Sequence, residues 1–227
     1  MEDMISRYLD ILNSAEDCLT GGWSTERQEQ KNLILSDIEE LSDSLEGIAA
    51  EVAACKKCRL GYERKNAVPG EGVLNPKVMI IGEAPGAQED ASGHPFVGRA
   101  GQYLDKWLQA IGLNRKTDVF IGNIIKCRPP GNRDPLPDEA AACIPYLKRQ
   151  IAIIRPRVIL TLGRISTHLL TGTTEGIGKL HGKDFQFEGV PLIPTYHPSG
   201  VLRNPVYRKP VWEDLKKLKQ LIEQQGG

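Results

Sequence analysis

No apolar stretch in this 227-residue chain approaches the roughly 18 residues that a helix needs to cross a bilayer, so a membrane-spanning protein is not expected. The start, Met1-Glu-Asp-Met4, has neither the basic nor the apolar region of a signal peptide, which points to an intracellular, cytoplasmic location. There is no internal repeat and no low-complexity tract, so a solenoid or a disordered linker protein is not indicated either. Net charge is also missing, yet the zero hides a division. Residues 1–54 hold 13 Asp/Glu and 3 Lys/Arg, whereas the remaining residues hold 16 and 26. A basic body behind an acidic segment can attract an anionic polymer, although an ordinary solvated basic surface would show the same balance.

What is present suits one buried core with an appendage. Ile34, Ile38, Leu41, Leu45, Ile48 and Val52 recur at alternating spacings of four and three, which predicts a helix with one apolar stripe across 27–54. A shorter amphipathic helix is expected over 4–20, closed by Gly21-Gly22. Residues 1–54 thus read as an acidic helical extension and 55–227 as the main domain. Packing of the extension on the body is the first expectation, and a coiled coil for a protein partner is the second. From residue 77 onward, β-rich runs at Val78–Ile81, Val119–Ile125, Val158–Leu162 and Val190–Thr195 alternate with helical patterns near 100–112, 138–154, 164–171 and 208–224. That order predicts a three-layer α/β/α sandwich around a central four-stranded parallel sheet. Ligands bind such sheets outside the carboxyl ends of the strands, and each unusual segment of this chain follows a strand.

Those segments carry the chemistry. Gly82-Glu-Ala-Pro-Gly86 forms a glycine-rich turn, followed by Glu89, Asp90 and the run Gly93-His-Pro-Phe-Val-Gly-Arg-Ala-Gly101 ahead of a helix N-terminus. Asn123 closes the second strand, and His197-Pro-Ser-Gly-Val-Leu-Arg203 follows the last. Cys55 and Cys58 stand at chelate spacing, with Cys127 and Cys143 downstream, which suggests a metal or iron–sulfur site more than disulfides. The spacing alone leaves zinc and iron–sulfur both open, zinc being the commoner occupant. Cys18 lies outside the set and reads as a free thiol.

Together these motifs, with Asn123-Ile-Ile-Lys-Cys-Arg-Pro-Pro-Gly-Asn-Arg-Asp-Pro135 and the spacing of the four cysteines, resemble the family 4 uracil-DNA glycosylases, the iron–sulfur branch of the uracil-DNA glycosylase superfamily. The resemblance runs from Cys55 to the C-terminal helix and leaves residues 1 to about 50 uncovered. It implies a [4Fe–4S] cluster on Cys55, Cys58, Cys127 and Cys143, and excision of uracil from single- or double-stranded DNA by a nucleoid-associated monomer. The base would be flipped into a pocket of Gly82, Ala84, Phe96, Asn123 and His197. Phe96 would stack on it and Asn123 would read its edge. His197 would stabilise the departing anion, and Glu89 or, second, Glu83 would position water or the sugar cation. Arg99 and Gly101 on one wall, and Ser199, Gly200 and Arg203 on the other, would grip the strand while Leu202 wedges the stack. Better-known branches carry Asp or Asn where this chain has Ala84, so the water-positioning carboxylate is open at this stage. Alternatives are a non-enzymatic or covalently trapping uracil-DNA-binding protein, and a zinc-stapled hydrolase of free nucleotides. The short Pro129–Asp134 segment lacks the histidine that a trapping branch uses.

Overall fold

The computed structural model describes residues 44–225. In chain order the elements are α1 (Leu45–Ala54), α2 (Leu60–Glu63), β1 (Glu71–Gly72), β2 (Val78–Gly82), α3 (Ala87–Ser92), α4 (Arg99–Ala110) and β3 (Val119–Asn123). A short 3₁₀ turn at Pro130–Asn132 leads to α5 (Pro137–Ile154), β4 (Val158–Leu162), α6 (Arg164–Thr171) and α7 (Ile177–Leu180). Then come β5 (Phe185–Phe187), β6 (Val190–Thr195), α8 (Pro198–Arg203), a second 3₁₀ turn at Pro205–Tyr207 and α9 (Arg208–Gln224).

The strand runs are apolar throughout because the sheet is covered on both faces. All five residues of β2, β3 and β4 are buried. Alternate side chains serve opposite layers, as the pleat requires. Val78, Ile80, Val158 and Leu160 join a core with Leu104 and Leu108 of α4 and Leu215 and Leu218 of α9. Met79, Ile81 and Ile159 join another with Leu147 and Ile151 of α5. Each such fully buried side chain contributes about 1.5–3 kcal/mol relative to exposure. The three-layer architecture is therefore a direct consequence of continuous apolar strands flanked by one-faced helices.

The central strands β3, β2, β4 and β6 are parallel, as expected. The sheet as a whole is not four-stranded: it has six strands, ordered β1-β3-β2-β4-β6-β5, and both edge strands are antiparallel. The edges are two and three residues long, too short to show an alternating pattern. β5 reaches β6 through Glu188-Gly189, whose φ values of 50° and 76° make a two-residue hairpin turn. β3 leaves the sheet at Asn123, two residues earlier than expected. Ile124 and Ile125 still donate their N–H groups to Gly82 O and Glu83 O at 3.0 Å.

Ahead of the sheet, Ser44 caps α1 by accepting from the Gly47 N–H at 2.9 Å. Ile48 and Val52 of α1 pack with Tyr146 of α5, and Arg149 donates two hydrogen bonds to Glu51, at 2.8 and 2.7 Å. The helix expected over 27–54 is thus seen from Leu45 on. Its earlier part, the helix over 4–20 and Cys18 lie outside the described residues. Among the described residues no helix is long and apolar enough to cross a membrane.

The chain runs from β2 to β3 through α4 on one face and from β3 to β4 through α5 on the other. The crevice between the carboxyl ends of β2 and β4 is consequently the topological switch point, where a ligand site is favoured.

Candidate active site

A cavity of about 490 Å³ occupies that crevice. Glu83, Ala84 and Glu89 line it from beyond β2, Asn123 from the end of β3, Gly163 and Arg164 from the exit of β4, and His197, Ser199 and Arg203 from the segment after β6. Phe96 lies between α3 and α4 and completes the wall. Of the residues expected at the site, Gly82, Arg99, Gly101, Gly200 and Leu202 do not line the cavity.

Gly82 lies directly beneath it. A Cβ there would stand 2.4 Å from Asn123 Oδ1 and 2.7 Å from Phe96 Cζ, so only glycine lets the amide and the ring close over the strand end. Asn123 is 1% exposed, and its Oδ1 is the single buried side-chain polar atom without a hydrogen-bond partner among the described residues. An unpaired buried acceptor is costly, and in a cavity wall it marks where a ligand donor belongs.

Phe96 has a left-handed backbone, φ 52°. Arg115 holds it there: its guanidinium donates to Phe96 O at 3.1 Å and Pro95 O at 2.6 Å, while Asp105 and Glu71 accept from it at 3.0 and 3.2 Å. Gly101 serves the same end from the first turn of α4. It is buried, and a Cβ on it would lie 1.7 Å from Phe96 O. The sequence motifs did not point to Arg115, which sits 19 residues beyond Phe96 with no local signature.

His197 is the N-cap of α8. Its Nδ1 accepts the Ser199 N–H at 3.2 Å, with Ser199 Oγ at 2.8 Å. An Nδ1 that accepts leaves the proton on Nε2, so the ring offers a donor on its other edge. Burial, helped by the Arg203 charge, pushes the imidazole down to about 4, which keeps it neutral near pH 7. Its centroid is 5.8 Å from that of Phe96. Gly163, φ 91°, lets β4 pass beneath the ring; a Cβ there would be 3.1 Å from His197 Cβ.

The two carboxylates differ. Glu89 is engaged, its Oε1 accepting the Val97 and Gly98 N–H groups at 3.0 and 2.9 Å at the entrance to α4. The Glu83 carboxylate has no hydrogen bond among the described residues. Burial, with the Asp134 charge in support and Arg164 opposing, pushes it up to about 7. Asp134 and Arg164 themselves form an ion pair of 2.8 Å across the cavity rim. On the outer surface Arg99 and Arg203 are exposed, Ser199 and Gly200 are half-buried, and Leu202 is 39% exposed at the end of α8.

Cys55, Cys58, Cys127 and Cys143 are free thiols that line one separate, small cavity together with Arg64, Lys126 and Tyr146. Among the described residues no three Cys, His, Asp or Glu side chains are drawn together as a set that could hold a single metal ion. The four thiols surround a space instead of converging on a point. Gly61 lets α2 pass close to the Cys55 carbonyl, where a Cβ would be 2.5 Å from the oxygen. Arg64 donates to Cys127 Sγ at 2.8 Å. Burial pushes the Cys127 thiol up to about 11 and raises that of Cys143, so a metal would have to displace protons. Soft sulfur donors around a small cavity, with a guanidinium on one of them, fit an iron–sulfur cluster.

Residues 69–216 match the model of the Uracil DNA glycosylase superfamily. The Type-4 uracil-DNA glycosylase of Saccharolobus solfataricus is 50% identical over 189 residues, 79% of this chain and 87% of the relative. That of Sulfurisphaera tokodaii is 49% identical over 188 residues, covering 79% and 85%. That of Pyrobaculum aerophilum is 50% identical over 169 residues, covering 71% and 86%.

Proposed function

The chain belongs to the uracil DNA glycosylase superfamily, and from that membership we propose that it removes uracil from DNA by hydrolysing the N-glycosidic bond, leaving an abasic site for repair. The observation that carries this reading is the partnerless Oδ1 of buried Asn123 in the cavity wall. Uracil presents an N3–H donor beside the O4 acceptor, so one amide can accept from the first and donate to the second. Cytosine reverses both, which leaves the amide mismatched.

The base must leave the duplex to reach this pocket, at a cost of a few kcal/mol. Arg99, Ser199, Gly200 and Arg203 supply phosphate contacts, and Leu202 fills the vacated stack. Gly101 acts from below by seating Phe96, which stacks on the uracil. As the bond lengthens, negative charge grows on the base, and the Nε2–H of neutral His197 donates to it at O2. Glu83 positions or activates the attacking water. It is preferred to Glu89 because its carboxylate is unengaged and close to its titration point, whereas Glu89 holds the N-terminus of α4 in place.

Cys55, Cys58, Cys127 and Cys143 would hold a [4Fe–4S] cluster, which when bound crosslinks the α1–α2 connection to β3 and α5 and can exchange one electron. The protein is proposed to act as a monomer at the nucleoid, on single- or double-stranded DNA. The acidic segment ahead of α1 is proposed as the element that engages a protein partner. Incubation with a uracil-containing oligonucleotide followed by alkali tests the reading. Strand breakage at uracil is expected; intact DNA or a covalent adduct would overturn it.

A further inference from the structure

Lys126 is the largest of the fully buried side chains, 1% exposed, yet no carboxylate pairs with it among the described residues. Its Nζ donates to the backbone carbonyl of Asn123 at 2.8 Å and to Gln150 Oε1 at 2.7 Å. Both acceptors are neutral. A buried ammonium among neutral groups is expensive unless a counter-charge lies nearby. Among the described residues the cavity that Lys126 lines holds no carboxylate, and the four cysteines are its main anion-forming groups.

The surroundings of Lys126 are tied on every side. Its carbonyl accepts the Val68 N–H at 2.8 Å, and Gln150 in turn donates to Pro69 O at 2.8 Å. Lys126 therefore touches two sites: its ammonium donates to the main chain of the base-reading residue, and the residue lines the cavity of the thiols. Four thiolates would bring four negative charges to a space lined by two cations, Arg64, which donates to Cys127 Sγ, and the buried Lys126.

We propose that Lys126 is a positioning residue that joins the two sites, acting as counter-charge to the thiolate-bound cluster while its ammonium fixes the backbone of Asn123. This rests on the iron–sulfur reading. An electron added to a thiolate-bound cluster is stabilised by a nearby cation, so the charge of Lys126 sets the cluster potential as well as the seat of the amide.

The test uses full-length protein with Lys126→Met, Lys126→Arg and Gln150→Glu, read by iron per chain, by cluster midpoint potential in protein-film voltammetry, and by single-turnover excision. Lys126→Met should move the potential to more negative values and slow excision by about tenfold or more, as the amide loses its fixed seat. Lys126→Arg should keep the potential close to that of the wild type, which a purely space-filling role would not require. Should Lys126→Met yield no soluble protein, Gln150→Glu sets a carboxylate against the ammonium in a nearly unchanged volume, and it too should make the potential more negative. Iron-loaded Lys126→Met with wild-type potential and wild-type excision overturns the assignment of Lys126 alone. An iron-free, colourless wild type that excises uracil overturns the cluster reading and this inference together.

Discussion

Gly101 and Phe96 meet where one has no side chain and the other has its carbonyl: a Cβ on Gly101 would lie 1.7 Å from Phe96 O. The Phe96 ring is therefore placed by an absence in the first turn of α4 and by the guanidinium of Arg115. Gly101→Ala should displace Phe96 and reduce single-turnover excision by about 10²-fold, the scale expected for a misplacement near 1 Å. Thermal unfolding should fall as well, and a variant with wild-type rates would show that Phe96 does not need this seat.

His197→Ala should lower the chemical step by about 10²-fold or more and leave DNA affinity nearly unchanged, because a donor to a developing anion acts mainly in the transition state. The loss should be smaller for 5-fluorouracil, whose anion needs less help. Nitrogen-resolved NMR of the wild type should find His197 Nε2 protonated and no titration of the His197 ring between pH 5 and 8, given a value of about 4. Equal losses on both bases would reduce His197 to a cap for α8.

For Glu83 the folded-state value lies above the ordinary carboxylate value of 4.5, at about 7. The folded protein thus binds a proton that the unfolded chain releases between those limits. Stability contributed by this group is present at low pH and lost as pH rises toward 7. Activity runs the other way, since water activation needs the carboxylate. Excision should decline below about pH 7 with a single titration, and Glu83→Gln should slow it, flatten that limb and stabilise the fold above pH 7. Glu89→Ala is predicted to behave differently, losing about 0.5–2 kcal/mol of stability as the entrance to α4 loses its acceptor. Urea titrations at pH 5 and 8 distinguish the two.

Much of this arrangement is legible in the residues themselves. α6, α9, β4 and β6 fall where pattern places them, because their apolar runs are long enough to show a period and are bounded by Gly or Pro. α3 and α8, six residues each, are shorter than two turns and show no period, so neither is marked as a helix by its pattern. The edge strands are hidden for the same reason. In the site, the motifs locate Phe96, Asn123 and His197, which the fold gathers into one wall. Arg115 has no motif, and Lys126 sits inside one without its role being visible, since what matters in each is a contact made only in the fold, to Phe96 O by the first and to Gln150 Oε1 by the second. The preference between Glu83 and Glu89 also needed the structure, where hydrogen bonds to Val97 and Gly98 occupy the second.

Removal of residues 1–43 should leave excision intact and tighten DNA binding at low salt, since it strips acidic charge from a basic body. Removal of 1–54 should not be equivalent. It also takes Ile48 and Val52, both fully buried, and Glu51, which pairs with Arg149. Two such side chains amount to about 3–6 kcal/mol of lost burial, so the longer truncation should unfold at markedly lower temperature. Equal melting temperatures would place α1 outside the cooperative unit.

Anaerobically purified protein should be brown with broad visible absorbance. Cys143→Ser should bleach it and lower the soluble yield, because α5 would lose its link to the α1–α2 connection. Zinc in place of iron in an active preparation would contradict this.

From Asn123 to Cys127 the chain has no slack. Its first residue closes a strand, the next two are bonded to the exit of β2, Lys126 is clamped at both its carbonyl and its ammonium, and the last is a buried thiol. The segment is a ruler with the partnerless amide at one end and the buried thiol at the other. A one-residue insertion or deletion here could not be absorbed by a bulge or a loop, as it would throw either the amide or the sulfur out of register. On the proposed reading, base recognition and cluster retention would be spelled in one stretch of five residues, so neither could drift in position without carrying the other along.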